Sequence, residues 1–411
     1  MAAIQVLKMQ EKIALKRVIS LPLLIFYGVG TILGAGIYSL TGKIAGISGI
    51  YAPVSFILSA FIAAFVAFTY AELSSRYPQS AGEAVFVDQA FGKLWLSSIT
   101  GWGIVFTGIV SAGVMAHGFN GYLNEFFVLP EVISLLIYVI FITVIAILGI
   151  SLSVNTVALV TMVEITGIIM ILYVTQDSLQ TLSVRWYEFI PPFSWDIWQG
   201  IVFGAFIAFY AFIGFEDMVN VAEEVVEPEN NLPIGIIMAL VMTTFFYVLV
   251  SFSSVLTLPI EELANHTAPF ALIIKQNSQI PVSIISFISL IAILNGALVQ
   301  IVMGSRVLYG MAEKGIAPSI FKNIHTKTRT PVVATLFFSI LLFAFAVWFP
   351  IVMLAKITSF VLLTIFALVN LSLCVIKLKH YHDKERFFVV PFVVPAIGLF
   401  LCLGFLLLQF Q

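Results

Sequence analysis

The sequence predicts an all-α integral membrane protein of about eleven transmembrane helices, arranged as a five-plus-five inverted repeat with discontinuous spans 1 and 6. Three observations carry that prediction. Of 411 residues, 61% are hydrophobic and 10% charged, with a mean hydropathy of +1.10. Eleven apolar runs follow one another along the chain, each close to the roughly 20 residues that a bilayer-crossing helix needs. Two of these runs, five apart, are interrupted near mid-length, at Gly34 and at Gly214, 180 residues away. Paired interruptions in corresponding runs of two halves point to a midplane binding site, and an odd block of five gives the halves opposite orientation.

Residues 1–17 carry Lys8, Lys12, Lys16 and Arg17 and lack the short apolar core and small-residue cleavage site of a signal peptide. They read as a cytosolic tail. Segment 1 (19–41) lies in an uncharged run from Val18 to Gly42 and contains Gly28-Val29-Gly30-Thr31-Ile32-Leu33-Gly34-Ala35-Gly36-Ile37-Tyr38. Lipid offers backbone groups no partner, so a spanning helix keeps them paired internally. Gly30, Gly34 and Gly36 weaken that pairing and let another group approach the main chain. The same spacing also suits close helix packing through small residues.

Segments 2 to 5 follow at 48–70, 94–123, 132–148 and 155–174, completing a first repeat over 18–176. An outer loop at 177–196 leads to segment 6, which runs from 197 into the acids near Glu223. Its apolar course is interrupted by Ile213-Gly214-Phe215-Glu216-Asp217. Segments 7 to 10 (234–256, 282–310, 332–349, 357–376) complete a second repeat over 197–378. A short cytosolic loop and segment 11 (387–410) occupy 379–411. Cys374 and Cys402 lie inside apolar runs and suggest neither a disulfide nor a metal site.

Cytosolic loops of membrane proteins collect Lys and Arg. Of the 19 such residues, fifteen fall in the tail and in the loops after even-numbered segments, among them Arg76, Lys93, Arg306, Lys327, Lys377, Lys384 and Arg386. Lys43, Arg185, Lys275 and Lys356 fall on the other side. The N-terminus is therefore expected in the cytosol and the C-terminus outside, in a multi-pass protein of the cell (cytoplasmic) membrane. A net charge of −2 gives no sign of nucleic-acid binding.

Several motifs resemble the amino acid–polyamine–organocation (APC) superfamily, in order and over nearly the whole chain. Gly34-Ala35-Gly36-Ile37-Tyr38 resembles its segment 1 signature. Tyr70-Ala71-Glu72-Leu73-Ser74-Ser75-Arg76-Tyr77-Pro78 with Ala81-Gly82-Glu83 looks like its loop after segment 2. Ile213-Gly214-Phe215-Glu216, Asn231-Leu232-Pro233 and Ser305-Arg306-Val307-Leu308-Tyr309-Gly310 are similar to later family motifs. The resemblance implies a leucine-transporter-type fold and a permease for amino acids, polyamines or related amines. Residue by residue, it implies that the amides of Ala35, Gly36 and Ile37 hold a substrate carboxylate. The carbonyls of Ile32, Tyr210 and Ile213 would hold its ammonium, Gly34 and Gly214 would supply the breaks, and Tyr210 would close over the substrate. A half-helix N-terminus favours an anion on physical grounds as well.

Acidic residues inside segments are candidates for function, because a charge at mid-membrane costs about 2.5–3.5 kcal/mol on insertion scales. Glu164 lies in segment 5, and Glu216 and Asp217 sit just past the segment 6 break. Such a carboxyl can hold its proton in one state and release it in another. It can also merely hydrogen-bond to a neighbouring helix. Several relatives place a lysine where Glu164 stands, so this chain departs from that pattern. Glu164 is then a proton carrier, a sodium ligand, or a partner for a second amine on the substrate. The two hydroxyls that hold sodium in relatives align with Ile291 and Ala292, although Ser289 is near. A proton is thus the expected coupling ion, carried by Glu164 with Glu216 second, and no cofactor, metal or catalytic residue is expected.

The remaining polar residues read as structural. Glu72 and Arg76 suit an ordinary i,i+4 ion pair, Glu223, Glu224, Glu227 and Glu229 solvated acids, and His117 an interfacial side chain. Asn295 and Asn370 suit interhelical hydrogen bonds. Proton-coupled symport is the expected activity. An amino acid/polyamine exchanger and a transporter-fold nutrient sensor are the alternatives, and an enzyme is disfavoured because no nucleophile or His/Cys cluster appears. The family often has a twelfth span; the ten-segment core is expected to work without it. Neither the substrate side chain nor an oligomeric state is legible.

Overall fold

The computed structural model describes residues 17–79, 82–149, 154–379 and 387–410. Lys8, Lys12, Lys16, Ala81, Lys384 and Arg386 lie outside the described residues. Every described element is helical; no strand occurs among the described residues, which hold only an isolated bridge between Ile19 and Val225. Among the described residues, eight helices are long and apolar enough to cross a membrane, and three shorter apolar ones accompany them: Leu21–Gly34, Val332–Trp348 and Val393–Leu407. One long stretch, Gly36–Arg76, joins the second half of segment 1 to segment 2.

Helix boundaries follow local chemistry. Pro22, Pro53 and Pro228 stand in the first turns of helices Leu21–Ser48, Ala52–Arg76 and Pro228–Thr257, where a missing N–H costs nothing. Segment 4, helix Glu131–Leu148, ends on Gly149 at φ 70°, the usual left-handed stop. Hydroxyls inside the helices fold back onto their own backbone, as Ser289 does to the Ile285 carbonyl (2.8 Å) and Thr358 to that of Leu354 (2.9 Å).

Large apolar side chains such as Leu159, Ile340 and Phe400 face outward, the arrangement lipid permits. Small and polar residues pack within. Ser55 and Ser59, one turn apart on segment 2, donate to the Ile201 and Ala205 carbonyls of helix Trp195–Phe209 at 2.9 and 2.6 Å. Ser48 reaches Ser55 at 2.8 Å. This ladder holds segment 6 against segment 2, using small residues where two backbones run close. As expected from sequence, Asn370 bridges helices, accepting from Thr69 at 2.7 Å.

Glu72 does more than an ordinary ion pair. Its side chain is fully buried and lies 2.7 Å from Arg76 Nη2 and 2.6 Å from Lys377 Nζ, and it accepts the Val390 amide at 2.8 Å. One carboxylate therefore clamps segment 2, the end of helix Ile351–Lys379 and the strap before helix Val393–Leu407. The Phe388 amide donates to Ser75 Oγ in the same strap, and Lys377 Nζ to the Val390 carbonyl. Pro391 keeps Val390 out of helical geometry, so segment 11 becomes helical later than its apolar run begins. Removing one member of a buried ion pair costs about 3–5 kcal/mol. Glu72→Ala is expected to lower the melting temperature in detergent far more than Glu131→Ala, whose side chain is 56% exposed. Equal melting of the two variants would show that the clamp does not bear on stability.

Candidate functional site

The two interruptions foreseen in sequence are real, and they face each other. Helix Leu21–Ser48 departs from helical geometry at Gly34 (φ −11°, ψ −143°). Segment 6 leaves its α-helix at Phe209, passes through the 3-10 turn Tyr210–Phe212, extends at Ile213 and turns at Gly214 with φ 128°. That angle is readily open to glycine alone. The chain then resumes as the 3-10 helix Glu216–Glu224.

Contacts join the breaks directly. Thr31 Oγ1 lies 2.9 Å from the Gly28 carbonyl and 3.0 Å from the Gly214 carbonyl. A Cβ on Gly214 would collide with the Thr31 carbonyl oxygen, and one on Gly36 with the Ala211 backbone. A Cβ on Gly34 meets nothing within 4 Å. The three glycines of segment 1 thus divide their work: Gly34 breaks the helix, Gly36 admits segment 6, and Gly30 packs against Thr161 of segment 5, helix Val154–Val174.

Of the residues singled out in sequence, Ile32, Gly34, Gly36, Ile37, Tyr210, Ile213 and Gly214 are all buried here; Ala35 is placed by its backbone alone. The Tyr210 hydroxyl lies 3.0 Å from both the hydroxyl and the carbonyl oxygen of Ser111 on helix Leu94–Leu123, which ties segment 6 to segment 3. The Ile37 carbonyl accepts from Thr41 within its own half-helix. One participant was not foreseen. Tyr247 of segment 7 sends its hydroxyl between the breaks, 2.6 Å from the Ile32 carbonyl and 2.7 Å from the Ala211 carbonyl.

Segment 5 is fastened to segment 1 on either side of Gly34. Thr161 donates to the Phe26 carbonyl at 3.0 Å, and the Tyr38 hydroxyl to the Glu164 carbonyl at 2.7 Å. The Glu164 side chain is fully buried. Its Oε1 accepts Asn295 Nδ2 at 3.2 Å, and its Oε2 has no partner. Glu216 turns back on the break, accepting the Gly214 amide at 2.8 Å, and Asp217 accepts Gln300 Nε2 at 3.2 Å. Another buried acid, Glu83 of helix Gly82–Phe91, accepts the Tyr70 hydroxyl at 3.1 Å. Burial pushes its carboxyl up to about 7.

His117 is more than interfacial. Its ring bridges Glu131 Oε1 at 2.9 Å and the Phe349 carbonyl at 3.0 Å. It borders a cavity of about 430 Å³ beside the second half of segment 1, with Ser39, Lys43, Asn120, Glu131 and Thr267. The residues expected to bind substrate lie outside that cavity. Glu223 and Glu227 are exposed, in keeping with solvated acids. No group of three or more His, Cys, Asp or Glu able to hold a metal occurs among the described residues.

Residues 19–411 match the family model described as amino acid permease. The chain belongs to the amino acid permease family. It is therefore a transporter by family and not an enzyme, and its apolar helices are those of a multi-pass membrane protein. The permease is 28% identical to the branched-chain amino acid permease BcaP of Bacillus subtilis over 422 residues, covering 96% of this chain and 88% of that one. It is 28% identical to the methylthioribose transporter of the same organism, with the same coverage. With the vacuolar cationic amino acid transporter 2 of Arabidopsis thaliana the identity is 29%, over 88% of this chain and 60% of that protein.

Proposed function

We propose that this permease is a secondary active transporter that carries an amino acid across the cytoplasmic membrane by alternating access, with a proton as coupling ion. The observation that carries the proposal is the meeting of the two buried breaks, with Thr31 against Gly214 and Gly36 against the Ala211 backbone. In this reading the amides of Ala35, Gly36 and Ile37 take the substrate carboxylate, at the positive end of a half-helix. The carbonyls of Ile32, Tyr210 and Ile213 take the ammonium. Gly34 and Gly214 make both possible. Tyr210, tied to segment 3, closes the outer side.

Backbone contacts recognise only the end common to all amino acids. That fits relatives whose names span branched-chain and cationic substrates. The architecture proposed is a leucine-transporter-type repeat, 18–176 against 197–378, with eleven crossings, an outer loop at 177–196, a cytosolic tail over 1–17 and the C-terminus outside. Glu164 carries the coupling proton, with Glu216 as the second candidate. The aligned sodium positions support this, since Ile291 and Ala292 offer no side-chain oxygen.

Vesicles containing only this protein are expected to accumulate a labelled amino acid when a proton gradient is imposed, without sodium. A panel of unlabelled amino acids and polyamines then names the substrate by competition. Uptake that needs sodium would overturn the proton reading, and binding without flux would favour a sensor. Single cysteines at Gln79 and Lys327, in a background lacking Cys374 and Cys402, are expected to be shielded from an impermeant thiol reagent in intact cells, while one at Asn265 is labelled. The reverse pattern would invert the topology.

A further inference from the structure

Glu164 and Asn295 present a mismatch that one hydrogen resolves. Asn295, on helix Val282–Glu313, donates through Nδ2 to Glu164 Oε1 across 131 positions of sequence. The two atoms left over, Glu164 Oε2 and Asn295 Oδ1, are both acceptors, both buried and both without a partner. A carboxylate and an amide oxygen have no hydrogen to share, and a buried acceptor left unsatisfied costs about 1–3 kcal/mol, more if charged. Turning the amide by half a rotation does not help, because its oxygen would then face Oε1 with the same deficit. A proton on the carboxyl cures both oxygens at once.

We infer that Asn295 is the positioning residue for the proton on Glu164: the two side chains form a carboxylic acid–amide pair, with Nδ2–H donating to Oε1 and Oε2–H donating to Oδ1. The inference rests on the proposed proton role of Glu164 and adds to it a reader of that proton. Loss of the proton to water breaks the second bond and leaves an anion facing an amide oxygen, so the pair closes fully only in the loaded state. The surroundings do not compete. No ion pair reaches Glu164 among the described residues, and its side chain has no partner there except Asn295. The titratable groups near it are the phenols of Tyr38 on segment 1 and Tyr247 on segment 7. Both are committed to backbone carbonyls.

The location gives the pair something to act on. Gly296, the next residue, packs so that a Cβ there would lie 3.0 Å from Met115 Cε and 4.0 Å from Gly34 Cα. Asn295 thus connects the carboxyl on segment 5 to the part of segment 8 that faces the segment 1 break. Closing the pair draws segments 5 and 8 together beside the proposed carboxylate site; opening it releases them.

Infrared difference spectra of the reconstituted permease, acid minus alkaline, test this. Wild type is expected to show the C=O stretch of a protonated carboxyl that Glu164→Gln lacks. Asn295→Val, close in size, is expected to move that band to higher frequency, because an isolated acid in apolar surroundings has a stiffer carbonyl than a hydrogen-bonded one. Asn295→Ser keeps a polar group too short to span both carboxyl oxygens and is expected to move the band in the same direction. Thermal melts identify which variant is folded. A band that stays in place in a folded Asn295 variant overturns the pairing while leaving Glu164 as proton carrier. A wild-type spectrum with no band that Glu164→Gln removes overturns the proton role itself.

Discussion

Glu164→Gln is expected to bind substrate and exchange it at close to the wild-type rate, yet to lose all accumulation driven by a proton gradient. Glutamine keeps the shape of the protonated acid: its Nε2–H can donate to Asn295 Oδ1 while its Oε1 accepts from Asn295 Nδ2. The buried site therefore stays satisfied and the fold survives. What disappears is the ability to take on and release a proton. For one proton per substrate, each pH unit across the membrane is about 1.4 kcal/mol, or tenfold in concentration. The variant's internal and external concentrations are expected to level out whatever gradient is imposed, and its binding to lose most of its dependence on pH. The check is uptake of labelled substrate into vesicles with an acidic exterior, beside counterflow in the same vesicles. Concentrative uptake by the variant at the wild-type ratio would remove Glu164 from the coupling step.

The second large effect concerns Gly36. A side chain there enters the backbone of Ala211, so Gly36→Val must push the second half of segment 1 away from segment 6 and pull the proposed amide and carbonyl groups apart. Stabilisation by ligand is the sensitive measure, since a ligand at about 100 times its Kd adds about 2.7 kcal/mol to the folded state. Wild type is expected to gain that much from a saturating substrate and Gly36→Val to gain nothing. Gly34→Ala supplies the contrast, because a methyl there meets no atom within 4 Å. It is expected to melt like wild type without ligand while binding at least tenfold more weakly, through crowding of the break alone. Equal ligand stabilisation in wild type and Gly36→Val would place the substrate elsewhere, with the cavity beside His117 the next region to test.

The breaks were legible in sequence because glycines inside an apolar run have no solvent-driven reason to be there. Glu164 was legible for the same kind of reason, a charge where lipid depth forbids one. Tyr247 was not, since a tyrosine among aromatic residues looks like packing until its hydroxyl is seen between two carbonyls. Glu83 was missed because a carboxyl in a connecting loop is ordinarily in water; only the packing of helix Gly82–Phe91 against helices Leu94–Leu123 and Ile351–Lys379 buries it. Glu72 showed one partner in sequence, four positions away, whereas Lys377 and the Val390 amide arrive from the far end of the chain. The serine ladder on segment 2 has the same origin, as single hydroxyls in a helix reveal nothing until the facing backbone is known. Gly30 turned out to be a packing glycine, the ordinary use of a small residue, and Gly36 one that admits the segment 6 backbone, while Gly34 alone of the three opens the helix.

Tyr247 has a further consequence. A phenol owns one hydrogen, and this one stands before two oxygens, Ile32 on one broken helix and Ala211 on the other. At any moment one break holds that hydrogen and the other waits. An ammonium group brings three N–H donors, so under the proposed function it can supply the waiting oxygen while the phenol settles on its counterpart. Arrival of the positive end then displaces nothing: it completes a set that is one hydrogen short, and it stops a rotor that was shared between the two breaks.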